Sequence, residues 1–329
     1  MRTYFLPTIL SLSLLACAGD KESTNDTADV NSTDDDSDLD DDDDSSTDDT
    51  DDTDDTDEDT GEDTSEPEEL EIDYRLAGPH TTTSSTITLS ASCSATADLI
   101  TPATSGDWPR IFLSHGFMRG PAQMIGWAEH LASWGMEVVV PSLCHASIID
   151  TDHAQNGTDL TLFNDALGGG PVVYAGHSAG GLASLIAASQ DDDAVGLIGL
   201  DLTDADGLGA SAAGAVGVPT YALVGEANSC NASGNGVATV RSAPDVSIIR
   251  IAEADHCDFE NETDWMCTTL CDAPGATFSD DDIQQALLGL LTAAAMSVTG
   301  EDPAASTVWW QSGGLYFDQF NGTGAILSL

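Results

Sequence analysis

Gly176-His177-Ser178-Ala179-Gly180-Gly181 decides how the rest of the chain is read. It follows a short apolar run, Pro171-Val172-Val173-Tyr174-Ala175, and opens a small-residue stretch, 182–189, that reads as a helix. Strand, G-x-S-x-G, helix is the context in which this pattern forms a nucleophile elbow. The turn is so tight that Cβ atoms flanking the serine would collide, and the serine backbone itself is strained. The expectation is an exposed Ser178 hydroxyl at a helix N-terminus, where the peptide dipoles favour a developing negative charge.

Working outward, apolar runs alternate with helical patterns. Residues 110–114 read as a strand that runs into His115-Gly116-Phe117, residues 121–134 as a helix stopped by Gly135, and residues 136–140 as a strand. A short helix is expected over 160–167. Beyond the elbow, strands are expected over 195–200, ending at Asp201, over 221–224, and over 246–251 as the last one. Residues 282–296 form a closing helix. Upstream, the alternating Glu71-Ile72-Asp73-Tyr74-Arg75-Leu76 reads as an edge strand and 86–89 as a second. The alternation predicts an α/β domain over 70–300, a mostly parallel central sheet with helices on both faces. In such a sheet, functional groups gather at the carboxyl ends of the strands. Residues 301–329, with Trp309, Trp310, Tyr316, Phe317 and Phe320, read as a C-terminal appendage packed on that domain.

The 329 residues carry Asp+Glu 58 against Lys+Arg 7, a net charge of -51, which argues against nucleic acid as a partner. About half of the acid lies in 18–69, a low-complexity stretch that reads as a solvated, disordered tether. Before it, Arg2 precedes an apolar run too short to span a bilayer, which reads as a secretion signal. The signal ends Leu14-Leu15-Ala16-Cys17, which resembles the lipobox of bacterial lipoproteins. That resemblance implies that residues 1–16 are removed, that Cys17 is lipidated, and, with Ala18 following, that the protein is exported to the outer membrane. Six further cysteines, Cys93, Cys144, Cys230, Cys257, Cys267 and Cys271, predict up to three disulfides in an exported chain, with the pairing left open. Their spacing offers no two close pairs, so no metal is expected.

A serine alcohol needs a base, a group to orient that base, and donors for the oxyanion. The base candidate is His256, a few residues past the strand at 246–251. His115 and His177 belong to the neighbouring strand end and the elbow. His80, His130, His145 and His153 precede Ser178, against the expected order of serine, acid, histidine. For the acid, Asp201 at its strand end comes first, Asp204 second and Glu226 third. The oxyanion donors are expected to be the backbone N–H groups of Ala179 and Phe117. Trp127, Trp265 and Phe117 are candidates for the substrate pocket wall.

Ser114-His115-Gly116-Phe117, the stretch 129–141 and the elbow together resemble the chlorophyllase and cutinase-like polyester hydrolase branch of the α/β-hydrolases. Gly199-Leu200-Asp201-Leu202-Thr203-Asp204 is similar to the acid segment of chlorophyllases, without the proline that follows the acid there. Asp255-His256-Cys257-Asp258 is similar to their base segment. The likeness covers most of 70–296. It implies an α/β-hydrolase fold and hydrolysis of a small or polymeric carboxylic ester through an acyl-enzyme, with no cofactor. The short 202–218 stretch leaves no room for a large lid. A monomer is expected, touching a membrane only through its lipid anchor. Two alternatives stay open: a peptidase or amidase of the same fold, and a catalytically silent surface binding protein. Dienelactone hydrolases resemble the scaffold too but use cysteine, which Ser178 contradicts.

Overall fold

The computed structural model describes residues 71–271 and 275–329. The signal segment, Cys17 and the acidic tether lie outside the described residues. In chain order the strands of the main sheet are β1 (Thr82–Ser90), β2 (Ser94–Pro102), β3 (Arg110–Ser114), β4 (Glu137–Pro141), β5 (Val172–His177), β6 (Ala194–Leu200), β7 (Thr220–Val224), β8 (Val246–Ile251) and β9 (Ile326–Ser328). Their spatial order is β1-β2-β4-β3-β5-β6-β7-β8-β9. Every neighbouring pair from β4 to β8 is parallel. The β1–β2 hairpin and β9 close the two edges in antiparallel pairings.

The helices are α1 (Ile125–Ser133), α2 (His153–Ala166), α3 (Ala179–Ala188), α4 (Leu208–Ala212), α5 (Gly236–Val240), α6 (Trp265–Cys271), α7 (Asp280–Thr299), α8 (Ala305–Trp310) and α9 (Leu315–Thr323). The strands are apolar on successive residues because both sheet faces are covered. On one face Ile111, Leu113, Val173, Ala175, Ile198 and Leu200 pack with α1, α7, α8 and α9. On the other, Phe112, Tyr174, Leu197 and Ala222 pack with α2, α3 and α5. The protein is therefore a mixed α/β domain built on a large, mostly parallel sheet.

Several elements differ from the sequence reading. Residues 71–76 form no strand. The alternation there comes from Tyr74, whose ring is buried against Trp134 and Trp309 while its hydroxyl donates to Asp302. Strand β2 went unread because Ser94-Ala95-Thr96-Ala97 is small and polar; it is held by register with β1 and β4. Helix α2 begins at His153, with Asp152 capping it by accepting from the Gln155 N–H. Its first turns hide from an apolar pattern because they bury polar groups: Asn156 bonds the backbone of His145, and Asp159 accepts from Ser92. Strand β8 is not the last, since residues 301–329 return to supply β9. Trp309 within that segment is fully buried in the core.

Trp309 lies directly over Gly289 of α7. A Cβ added at Gly289 would come within 1.9 Å of the indole ring. Gly289→Ala is expected to destabilise the fold by about 1–3 kcal/mol through overpacking, outweighing the gain in helix propensity. A lower urea midpoint at an unchanged m-value checks this.

Candidate active site

Strand β5 is buried along its length and ends in a reversal that only small flanking residues permit. Ser178 sits at φ 54 and ψ -122. A Cβ at Gly176 would approach the Gly180 carbonyl to 2.5 Å, and one at Gly180 would approach the His115 carbonyl to 2.4 Å. The parallel register pairs His177 with Leu200, so Ser178 and Asp201 leave neighbouring strands side by side. The Ser178 N–H donates to Leu200 O at 3.0 Å, which fixes the two strand ends to each other.

His256 arrives on the loop after β8 and joins the two. Its Nδ1 lies 2.6 Å from Asp201 Oδ2, and its Nε2 lies 2.9 Å from Ser178 Oγ. A carboxylate only accepts, so Nδ1 carries the proton and Nε2 presents a lone pair to the serine hydroxyl. All three side chains are buried; Ser178, expected from the sequence to be exposed, is 8% exposed and lines the cavity beside it instead. Asp201 Oδ1 accepts from the Gly225 N–H at 3.1 Å, and its Oδ2 accepts additionally from Asn231 Nδ2 at 3.1 Å. Of the three acids weighed in the sequence, only Asp201 meets the histidine. Asp204 instead accepts from Gly209 N–H, Ala210 N–H and Thr239 Oγ1, and so holds the start of α4. Glu226 is exposed.

Asn231 is the residue that sequence reasoning missed. Its Nδ2 reaches Asp201 while its Oδ1 accepts from the Asn228 and Gly234 N–H groups. Two asparagines spaced three apart in a turn-rich loop were the available signal.

The loop after β3 lies opposite the elbow. The Phe117 N–H has no acceptor among the described residues, and Ala179 is the first residue of α3, where an N–H has no intrahelical acceptor. His115 braces this loop: its Nδ1–H donates to Gly116 O at 2.8 Å, and its Nε2 accepts from the Leu143 N–H at 3.1 Å. Burial pushes its pKa down to about 4, so it is neutral. The His177 ring packs against that of His256, tilted by 45° with centroids 4.5 Å apart. Burial also drives its pKa well below the ordinary value, with the nearby His256 adding to the shift.

Beside Ser178 opens a cavity of about 320 Å³, lined by Phe117, Met118, Met266 and Leu270 and by the disulfide cysteines Cys230, Cys267 and Cys271. Of the aromatic candidates, Phe117 lines it, Trp127 is core, and Trp265 is largely exposed. A larger concavity of about 560 Å³ near Glu71, Asp302 and Trp309 has no serine or histidine in its lining. The six cysteines pair as Cys93–Cys144, Cys230–Cys271 and Cys257–Cys267. The sulfurs of Cys257, Cys267 and Cys271 lie within 4.8 Å of one another, but all three are committed to disulfides and offer no thiolate. The wall over the cavity comes from α6, since the segment after β6 holds only the five-residue α4 and a 3-10 turn. No protein-family model matches the chain, and comparison with the curated proteins gives no match.

The buried neutral histidines make stability pH-dependent. Folded His115 titrates near 4 and an unfolded histidine near 6.5, so the unfolded chain binds more protons between those values. Stability from this site is complete above the unfolded value and falls as pH drops toward the folded one, by about 3 kcal/mol at pH 4. His115→Asn is expected to flatten the slope of unfolding free energy against pH between about 6.5 and 4. Urea titrations at several pH values measure the slope independently of any uniform loss of stability.

Proposed function

We propose that this chain is a serine hydrolase of the α/β-hydrolase fold, cleaving carboxylic esters through an acyl-enzyme. The observation that carries the reading is the continuous hydrogen-bonded path from Ser178 Oγ through His256 to Asp201. The setting supports it as well: a serine on a strained turn between strand and helix, the chain order serine, acid, histidine, and unpaired N–H groups after the nucleophile and after β3.

The steps follow from the side chains present. His256 Nε2 takes the hydroxyl proton as Ser178 Oγ attacks the ester carbonyl carbon. Asp201 stabilises the imidazolium that forms. The Phe117 and Ala179 N–H groups receive the carbonyl oxygen as it gains charge. The imidazolium then returns its proton to the leaving alcohol, and water hydrolyses the acyl-serine by the same base. The small apolar cavity suits a short or compact acyl group better than a long fatty chain.

Three disulfides fit an oxidising compartment outside the cytoplasm. With the lipobox-like 14–17, the reading extends to an enzyme exported and held at the cell envelope, probed by Cys17→Ser. That variant is expected in the soluble rather than the membrane fraction of a bacterial host.

Purified protein is expected to hydrolyse short-chain nitrophenyl esters faster than long-chain ones, and to be labelled by a fluorophosphonate at Ser178. Ser178→Ala and His256→Ala should each lower kcat by about 10⁴-fold or more, and Asp201→Asn by about 10⁴-fold. Activity on a peptide panel exceeding that on esters would favour an amidase. Absence of both labelling and turnover would overturn the hydrolase reading.

A further inference from the structure

The wall of the cavity holds a buried charged pair that the proposed steps do not use. Arg119 stands two residues after Phe117, on the loop between β3 and α1; Glu260 stands four residues after His256. Arg119 Nε and Nη2 donate to Oε1 and Oε2 of Glu260, both at 2.6 Å. The Glu260 side chain is 0% exposed and that of Arg119 8%. Arg119 Nη1 donates further to Asp264 Oδ2 at 3.2 Å, just before α6. Burial works against the guanidinium charge, but the two carboxylates outweigh it and its pKa is raised.

Besides the bonds of His115 and the contact of Phe117 with His153, the oxyanion loop over 115–119 is anchored by backbone bonds that do not reach the His256 loop. Met118 takes φ 60, a left-handed conformation that costs a methionine energy, and its side chain is half exposed. The Met118 N–H donates to Ala146 O, and the Arg119 N–H reaches Gly116 O at 3.2 Å. The loop nevertheless presses on the nucleophile, since a Cβ at Gly116 would lie 3.2 Å from Ser178 Cβ. An oxyanion donor is useful only within about 2.7–3.1 Å of where the charge appears. A bidentate guanidinium–carboxylate pair fixes direction as well as distance. A buried ion pair is weak evidence of stabilisation in itself, so its geometry is the informative property.

We propose that Arg119 is a positioning residue. Its two-point pair with Glu260 locks the oxyanion loop to the loop that carries His256, and so holds the Phe117 N–H in line with Ser178. The catalytic consequence rests on the ester-hydrolase reading; the locking of the loop does not.

The test uses Arg119→Met combined with Glu260→Leu, which removes both charges at similar volume and leaves no unpaired buried ion. Hydrogen exchange by mass spectrometry over residues 116–119 is expected to speed up by about tenfold or more in the folded variant. On a short nitrophenyl ester, kcat is expected to fall by about 10- to 100-fold with KM within about threefold, the signature of an interaction made only in the transition state. Arg119→Lys keeps the charge without the fork and should fall between the two. Wild-type exchange over 116–119 in the double variant, or an unchanged kcat, would overturn the proposal. Should the double variant not fold, Arg119→Lys carries the same readouts and wild-type values there overturn it equally. If the wild-type protein cleaves no ester, the exchange measurement still decides whether Arg119 holds the loop.

Discussion

A serine held at positive φ between two glycines that admit no Cβ is the constraint on which the rest of the structure depends. Such a backbone costs on the order of 1–3 kcal/mol and survives only where its surroundings over-determine it. Here the strand before it is buried throughout, and so is every residue of α3 after it. Strain is also gathered around the same point: Met118, Asp201 and Glu253 are further non-glycine residues at positive φ, each at or just beyond the end of a strand that frames the site. The parallel sheet supplies rigid strand ends, and the sharp turns there aim side chains that a gentler exit would leave pointing along the sheet.

The sheet alone does not hold the histidine. The loop after β7 is turn-rich, and the loop after β8 buries Ala254, Cys257 and Phe259 around His256; covalent links then add to that packing. Cys230 adjoins Asn231, which orients Asp201; Cys257 adjoins His256. Their disulfide partners, Cys271 and Cys267, lie on the same short helix, α6. That helix exposes Trp265 and Leu270, so burial contributes little to its docking. Closing loops of this length in the unfolded chain is worth about 3–4 kcal/mol per bridge. The acid side and the base side of the site are therefore referenced to one pinned element, which also forms a wall of the cavity.

How much of this was legible depended on which force shaped each part. The parallel strands and the elbow were readable because both sheet faces are apolar and the turn demands glycines at fixed positions. His256 and Asp201 were readable because strand ends in such a sheet point to one edge, and Asp201 is the first polar residue after its apolar run. Strand β2 and the first turns of α2 were not: β2 alternates only through small Ala95 and Ala97, and tertiary hydrogen bonds rather than apolar spacing hold the first turns of α2. Asn231 and Arg119 act by pairing with residues 30 and 141 positions away. No local pattern encodes such a partner. The choice among the acids lay at the boundary: Asp204 differs from Asp201 by three residues, yet its carboxylate caps a helix start instead.

The charges around Ser178 are paired within the protein. The sequence carries a net charge of -51, yet among the described residues the Arg, Lys, Asp and Glu residues lining the cavity beside Ser178 are Arg119 and Glu260, which pair with each other, Arg119 reaching Asp264 as well. His115 and His177 are held neutral by burial. The charges that would form during turnover are then an imidazolium facing Asp201 and an oxyanion facing backbone N–H groups. On the proposed ester-hydrolase reading, a free cation near Ser178 would hold a carboxylate product, and pairing Arg119 internally would remove that trap. On that reading the acidic surface would add an outward push on the same product, while a neutral ester would approach without electrostatic penalty. If the chain hydrolyses esters as proposed, the sign of the surface and the paired charges of the cavity would act in one direction: admit uncharged substrate and expel charged product.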